Sequence, residues 1–198
     1  AFVDLLRQYG ISNPDIHPSM ALCLGPCEIT VGEMASAYTA FVNHSIRAAH
    51  MFVTRIEDGE GNLIARFQPR MNEVISEESA NKMLYMLKAV VDGGTAGRLR
   101  HKYNMKGEIG GKTGTTNNNS DALFVGVTPS LVSVCWVGGD DRDIHFDSMD
   151  MGQGATMALP VFAYYMQKVY ADPQLGINES AVFDMPEGYK LADRKSVV

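Results

Sequence analysis

Three cysteines among 198 residues are too few, and odd in number, for the disulfide framework of a small secreted domain. Cys23 and Cys27 flank Leu-Gly-Pro, so a bridge between them is open to the spacing and rests on Cα and Cβ geometry. Cys135 lies in an apolar, strand-like run and reads as a small buried hydrophobe. No histidine stands at zinc-ligand spacing from any of the three. A cationic surplus is also missing. The 17 Lys and Arg residues face 23 Asp and Glu, and the net charge of -6 argues against a nucleic-acid surface. No apolar run approaches the length that spans a bilayer. The opening AFVDLLRQYGI has neither the basic n-region nor the h-region of a signal peptide. Phe2, Leu5, Leu6 and Tyr9 instead recur at helical spacing, without a starting Met or a cap. The expectation is a chain cut from inside a longer protein.

What is present is an ordinary globular composition, 45% hydrophobic and 20% charged, on a chain long enough to bury a sizeable core. There is no internal repeat and no low-complexity tract. The opening helix ends near Gly10, and a Pro-rich loop follows. Thr30 caps a second helix, with Glu33 completing a capping-box pattern and Met34, Ala37, Tyr38 and Phe41 on its apolar face to about Asn43. FVTRIEDGEGNLIARF reads as a β-hairpin around Asp-Gly-Glu-Gly. Ser76 opens a third helix, with Glu77 and Glu78 against its N-terminal dipole, and Asp92-Gly93-Gly94 stops it. Strands are expected over Glu108–Thr113, Ala122–Val127 and Leu131–Val137, with Thr-Pro-Ser as the turn between the last two. Pro160 suits the first turn of a final long helix. The tail beyond Asp172 has weak periodicity and reads as loop. This order predicts an α+β fold, an antiparallel sheet with helices packed on it, rather than an alternating βαβ chain.

GGKTGTTNNNSDALFVGV, from Gly110, offers two chemistries. A P-loop needs G-x-x-x-x-G-K-[ST] between a strand and a helix. With Gly111-Lys112-Thr113 as its end, the first glycine should stand at 106, where Lys106 is found. Asn117, Asn118, Asn119 and Ser120 then make a poor helix start, and strand periodicity resumes at Ala122. The phosphate reading fails on context. The other reading is Lys-Thr-Gly-Thr, Lys112 to Thr115. In serine β-lactam-binding enzymes a Lys-Thr-Gly motif lies on the sheet edge that lines the active site. Lys112 supplies a positive field for a substrate carboxylate, and Thr113 and Thr115 supply hydroxyls to bond it. Gly114 lets a ligand approach the backbone with no Cβ in the way. An accidental KTG on a surface strand is the plain alternative.

The surroundings favour the motif. LCLGPCEITVGEMASAYTAFVN, VVDGGTAGR, GGKTGTTNNNSDALFVGVTPSLVSVCWVGGDD and MGQGATMALPVFAYYM, in this order, resemble segments of the class A penicillin-binding proteins, bifunctional peptidoglycan synthases of bacteria. The resemblance runs from about residue 5 to 170. Leu123 stands where an aromatic is usual, and Asn43-His44-Ser45 replaces Asn-Gly-Gly. The resemblance implies the C-terminal portion of a penicillin-binding/β-lactamase-like transpeptidase fold over 1–172, followed by a tail over 173–198.

It further implies that the intact protein is a serine-type DD-transpeptidase that cross-links peptidoglycan stem peptides through an acyl-serine and binds β-lactams. Lys112 and Thr115 are then the expected catalytic residues. Lys112, Thr113, Gly114 and Thr115 are the expected substrate-binding residues, with the Thr115 N–H as one oxyanion donor. No cofactor and no metal are implied. The expected partners are the upstream half of the same domain and a glycosyltransferase domain. Membrane contact would come only through an N-terminal anchor outside this chain. The implied location is the bacterial cell envelope, periplasmic or on the outer face of the cytoplasmic membrane. The family also needs S-x-x-K and S-x-N upstream of KTG. The only match is Ser79-Ala80-Asn81-Lys82, which fits both at once and lies in a helix, so it reads as a solvated helix face. The expectation is therefore a chain without its nucleophile, inactive alone, and prone to self-association through apolar surface the missing half would cover. A non-catalytic peptidoglycan- or protein-binding module is the alternative from another class. A β-lactamase is disfavoured by the long GTA-to-KTG block and the PVFAYYM segment.

The remaining candidates carry less. Asp141, Asp143, His145 and Asp147 alternate, but a calcium loop counted from Asp141 finds Phe146 and Gly152 where Gly and Glu belong. His17, His44, His50 and His101 show no partner spacing. Phe124 and Trp136 read as core, and Asp121 as a turn former.

Overall fold

The computed structural model describes residues 1–186. Six α-helices and seven strands are found among them: α1 Phe2–Gln8, α2 Val31–Val42, β1 Ile46–Ala48, β2 Arg55–Glu57, β3 Leu63–Arg66, β4 Met71–Glu73, α3 Glu77–Asp92, α4 Arg98–His101, β5 Gly110–Thr115, β6 Asp121–Val127, β7 Val132–Gly138, α5 Met149–Gly152 and α6 Ala158–Ala171. The α+β expectation holds. The central sheet is antiparallel in the order β5-β6-β7, so β5 is an edge.

Strand alternation sends successive side chains of β6 to opposite faces. Phe124 and Ala122 face α6, where Leu159, Phe162, Ala163 and Met166 complete one fully buried cluster with Leu99 of α4. Val125 and Val127 face the other way, onto Leu84 and Leu87 of α3 and onto Met34, Tyr38 and Phe41 of α2. The sheet is thus sandwiched between α2 with α3 on one face and α6 on the other. A third cluster of Ile11, Ile16, Leu22 and Ala37 anchors the N-terminal loop to α2. Residues of the 173–186 segment also dock: Phe183 is buried against the α3 side, its N–H donates to Glu108 at 2.6 Å, and Glu179 accepts from the N–H of Lys106 at 2.8 Å.

The capping box at Thr30 is formed. Glu33 accepts from the Thr30 N–H at 3.0 Å and hydroxyl at 2.9 Å, and from the Ser12 N–H at 2.7 Å. Burial would raise this carboxyl, but the hydrogen bonds from Ser12 and Thr30 outweigh it and hold the group down at about 2, against an ordinary 4.5. A folded value below the unfolded one stabilises above the unfolded value and is lost as pH falls through the folded one. Glu33→Gln is expected to destabilise the chain by about 3 kcal/mol near neutrality, since each tenfold change in proton affinity is worth about 1.4 kcal/mol. The gap from the parent shrinks as pH falls from 4.5 toward 2. Urea midpoints measured across that range check it, and a constant gap would refute it.

Several expectations are corrected. Strand β5 begins at Gly110 rather than Glu108, whose carboxylate is instead held by Lys88 and the Phe183 N–H. Pro160, as expected, falls in the first turn of α6, as its third residue. Trp136 is 48% exposed and lies outside the core, unlike Phe124 at 0%. Asn81, expected on a solvated face, is buried on the stripe of Ala80, Leu84, Leu87 and Val91, whereas Ser79 and Lys82 are exposed. Cys23 and Cys27 are free thiols, and Cys135 is half-buried against the α6-side cluster. The acidic loop from Asp141 to Asp147 is exposed, as expected.

Candidate active site

The Lys-Thr-Gly-Thr run forms the outer half of edge strand β5. Its register is Lys112 opposite Val125, Thr113 opposite Phe124, Gly114 opposite Leu123 and Thr115 opposite Ala122. The Thr116 N–H donates to the Asp121 carbonyl at 3.2 Å, so the next pair outward is hydrogen-bonded. Antiparallel ladders alternate, so Lys112 and Gly114 turn their backbone groups toward β6. Thr113 and Thr115 therefore present N–H and C=O to the free edge. That edge has the backbone polarity an extended peptide needs for strand addition.

The side chains divide by face. Lys112 shares the α3 face with Val125 and is exposed, and its Nζ donates to the Thr113 carbonyl at 2.7 Å. This contact folds the ammonium back over the free edge. An ammonium carries three donors, so two remain for a ligand anion. The Thr113 hydroxyl lies 3.0 Å from the Thr95 hydroxyl, which comes from the GGTAG turn after α3. The Thr115 hydroxyl accepts from the Gly154 N–H at 3.0 Å. With an acceptor site filled by a backbone donor, its own proton is directed away from Gly154 and is free to be donated. Thr115 is exposed, and Thr113 and Gly114 are half-buried.

Beyond the strand, Thr116 closes the loop on itself. Its Oγ1 accepts from the Asp121 N–H at 3.1 Å and meets the Ser120 hydroxyl at 3.1 Å. Asn119 takes a left-handed φ of 53°, as Asn tolerates in a tight turn. Asp121 joins this closure only through its backbone and is the first residue of β6, opposite Gly138, so the reading of it as a turn former ahead of the strand is corrected. A cavity of about 1130 Å³ opens at this end of β5. Thr115, Thr116 and Asn117 form one wall, and the loop from Asn13 to Glu28 forms the other. Lys112 and Thr113 lie outside it, along the strand.

The four motif residues therefore share one edge. Two contributors were not singled out from the sequence: Thr95 and Gly154, each reached only through the fold. The GTA stretch was visible as a pattern, but nothing local links Thr95 to Thr113. The Ser79-to-Lys82 run does not join the motif. Lys82 is ion-paired with Glu78, and Ser79 bonds the Ser76 hydroxyl at 2.9 Å as part of the helix start. Among the described residues no His, Cys, Asp and Glu cluster could hold a metal ion. His44 reaches Glu77 at 3.0 Å and Asp184 at 3.3 Å, pairings across the fold that its sequence position did not signal.

Known proteins resemble this chain in sequence and in fold. Residues 10–138 match the family model of the penicillin binding protein transpeptidase domain. Penicillin-binding protein 1A of Neisseria lactamica is 34% identical over 168 residues, covering 82% of this chain and 20% of that protein. Penicillin-binding protein 1B of Vibrio cholerae is 30% identical over 162 residues, with the same shares. The chain thus spans about a fifth of the length of these relatives. Among solved structures, penicillin-binding protein 1A from Haemophilus influenzae superposes with a TM-score of 0.78 at 24% identity, over 93% of this chain and 32% of that one. The penicillin-binding protein PonA1 from Mycobacterium tuberculosis gives 0.71 at 23% identity, over 93% and 52%. At these identities the structures speak for the fold, and the matched domain speaks for descent: the chain belongs to the transpeptidase-domain family of penicillin-binding proteins.

Proposed function

We propose that this chain forms the KTG side of the active site of a serine-type DD-transpeptidase, a peptidoglycan synthase of the bacterial cell envelope. The observation that carries the reading is the free edge of β5, over which the Lys112 ammonium is folded and along which Thr113 and Thr115 turn their N–H groups outward. An extended stem peptide adds to this edge as a strand. Its terminal carboxylate meets the Lys112 ammonium and the hydroxyls of Thr113 and Thr115. The Thr115 N–H points where an oxyanion develops when a serine attacks the penultimate carbonyl, and such a donor is commonly worth about 100-fold or more in rate. The bond from carbonyl carbon to the leaving D-Ala nitrogen breaks, the acyl group stays on the serine, and an amine of a neighbouring strand then takes it. A β-lactam enters the same edge, and its opened ring holds the acyl-serine. The solved M. tuberculosis PonA1 in complex with penicillin V and the imipenem acyl-enzyme complex of M. tuberculosis penicillin-binding protein A are consistent with that reading through fold.

In this reading the serine lies outside these residues. Ser79 is engaged with the Ser76 hydroxyl at the helix start at 2.9 Å, and Lys82 is ion-paired with Glu78. On this reading the chain is inactive alone, and the rest of the transpeptidase domain, a glycosyltransferase domain and any membrane anchor belong to a longer protein, which the match to only a fifth of the relatives' length supports. Intact-mass spectrometry after incubation with a penicillin tests both parts. The expected result is no adduct on this chain and one adduct per intact protein. An adduct on the chain would move the nucleophile to a serine here, with Ser79 first. No adduct on the intact protein would favour a non-catalytic module that uses the same edge to hold peptidoglycan or a partner protein.

A further inference from the structure

The strands β2 and β3 form an arm that is apolar on its surface yet joins none of the three apolar clusters of the body. Phe52, Val53, Ile56, Leu63, Ile64 and Phe67 are all exposed, with Ile64 at 64% and Phe52 at 89%. A lone two-stranded hairpin is marginal in water, and three or more strands are needed for a stable sheet. The arm therefore has a physical reason to acquire further strands.

Its two edges differ. The register shifts between Ile56 and Glu57, whose partners are Ala65 and Leu63, so the extra residue, Ile64, lies on β3. A bulge guards an edge against pairing. The edge of β2 has no such guard and keeps its alternation. Thr54 accepts from the Phe67 N–H at 2.9 Å, and the Asp58 N–H donates to Asn62 at 3.0 Å. Thr54, Ile56 and Asp58 thus face β3, and Arg55 and Glu57 turn their N–H and C=O groups to the open edge.

We propose that β2 pairs with β2 of a second copy, antiparallel about a two-fold axis at Ile56, giving a four-stranded sheet across a homodimer. In that register Arg55 lies opposite Glu57 of the other copy, and Ile56 opposite Ile56. Both Arg55–Glu57 couples are narrow pairs that exchange N–H···O bonds, because those are the residues whose backbone groups face outward. The charges are self-complementary under the two-fold, as an isologous interface requires. Arg55 and Glu57 already pair within the chain, Nε to Oε1 at 3.2 Å, so the dimer joins two such pairs into a network on one face. On the opposite face the Ile56 side chains meet in the wide pair, where side chains come closest.

Sedimentation equilibrium over a dilution series tests the pairing. The parent chain is expected to show a reversible monomer–dimer equilibrium. Glu57→Arg places arginine opposite arginine and weakens the dimer at least about 10-fold, since like charges directly opposite destabilise. The double variant Arg55→Glu with Glu57→Arg restores it. An equimolar mixture of the Arg55→Glu and Glu57→Arg single variants forms heterodimers that neither forms alone. These side chains are exposed, so the fold tolerates the changes. A parent that stays monomeric at the highest attainable concentration overturns the proposal. So does a dimer indifferent to Glu57→Arg, which would place self-association on another apolar surface.

Discussion

Lys112→Ala in the intact protein slows acylation by a penicillin about 100-fold or more, on the scale of losing one preorganised charge-stabilising group. The ammonium is held over the free edge by its bond to the Thr113 carbonyl, so in the proposed role it would meet a ligand carboxylate without being reorganised. The side chain is exposed, and its loss from the fold costs within about 0.5 kcal/mol. Stability and rate therefore separate: the melting temperature stays and the acylation rate falls. Lys112→Arg does not rescue, because a planar guanidinium cannot cap the same carbonyl and keep the compact ammonium's position. Time courses with a fluorescent penicillin give the rates. A Lys112→Ala protein acylated within about threefold of its parent would remove Lys112 from the site.

Gly154→Ala damages both stability and the site. A Cβ at Gly154 would stand 2.6 Å from the Gly114 carbonyl oxygen and 2.7 Å from that of Leu123. Both atoms belong to paired strands and cannot rotate aside, so the segment after α5 must lift from the sheet. The Gly154 N–H then leaves the Thr115 hydroxyl, and with it goes the restraint that aims the Thr115 proton. Overpacking of this kind costs about 3 kcal/mol at its upper range. For a chain of this size that is a melting-temperature drop of about 6–12 °C. Gly59→Ala is the control, since its Cβ would meet nothing within 4 Å and should change little. Calorimetry reads the first effect and penicillin acylation of the intact protein reads the second. An unchanged melting temperature for Gly154→Ala would show that the segment does not bear on β5 in this way.

The readable part of this protein was the part governed by local rules. The Thr30 capping box, the Ser76 helix start, the Asp-Gly-Glu-Gly hairpin and three strands near KTG follow from short-range preference and alternation. What escaped depends on contacts distant in the chain. Strands β1 and β4 are three residues each and stand 23 positions apart from Ala48 to Met71, so no local period marks them. Trp136 alternates correctly for a strand, but alternation does not say how far a covering layer extends. Asn81 falls on a buried stripe that its polarity disguised. At the site, Lys112 to Thr115 were legible as a motif, whereas Thr95 and Gly154 reach them only because α3 and the α5–α6 connection fold back on β5.

Gly111 and Gly126 face each other directly across β5 and β6. A Cβ on Gly126 would fall 2.2 Å from the Phe162 ring, and one on Gly111 would fall 2.8 Å from Phe124. The two rings, 5.1 Å apart, therefore rest on bare backbone directly behind the strand that carries Lys112. Close-packed interiors compress little and pass strain on. The aromatic pair consequently sets how closely β5 and β6 lie over α6, and a side chain at either glycine would push the strands off that layer.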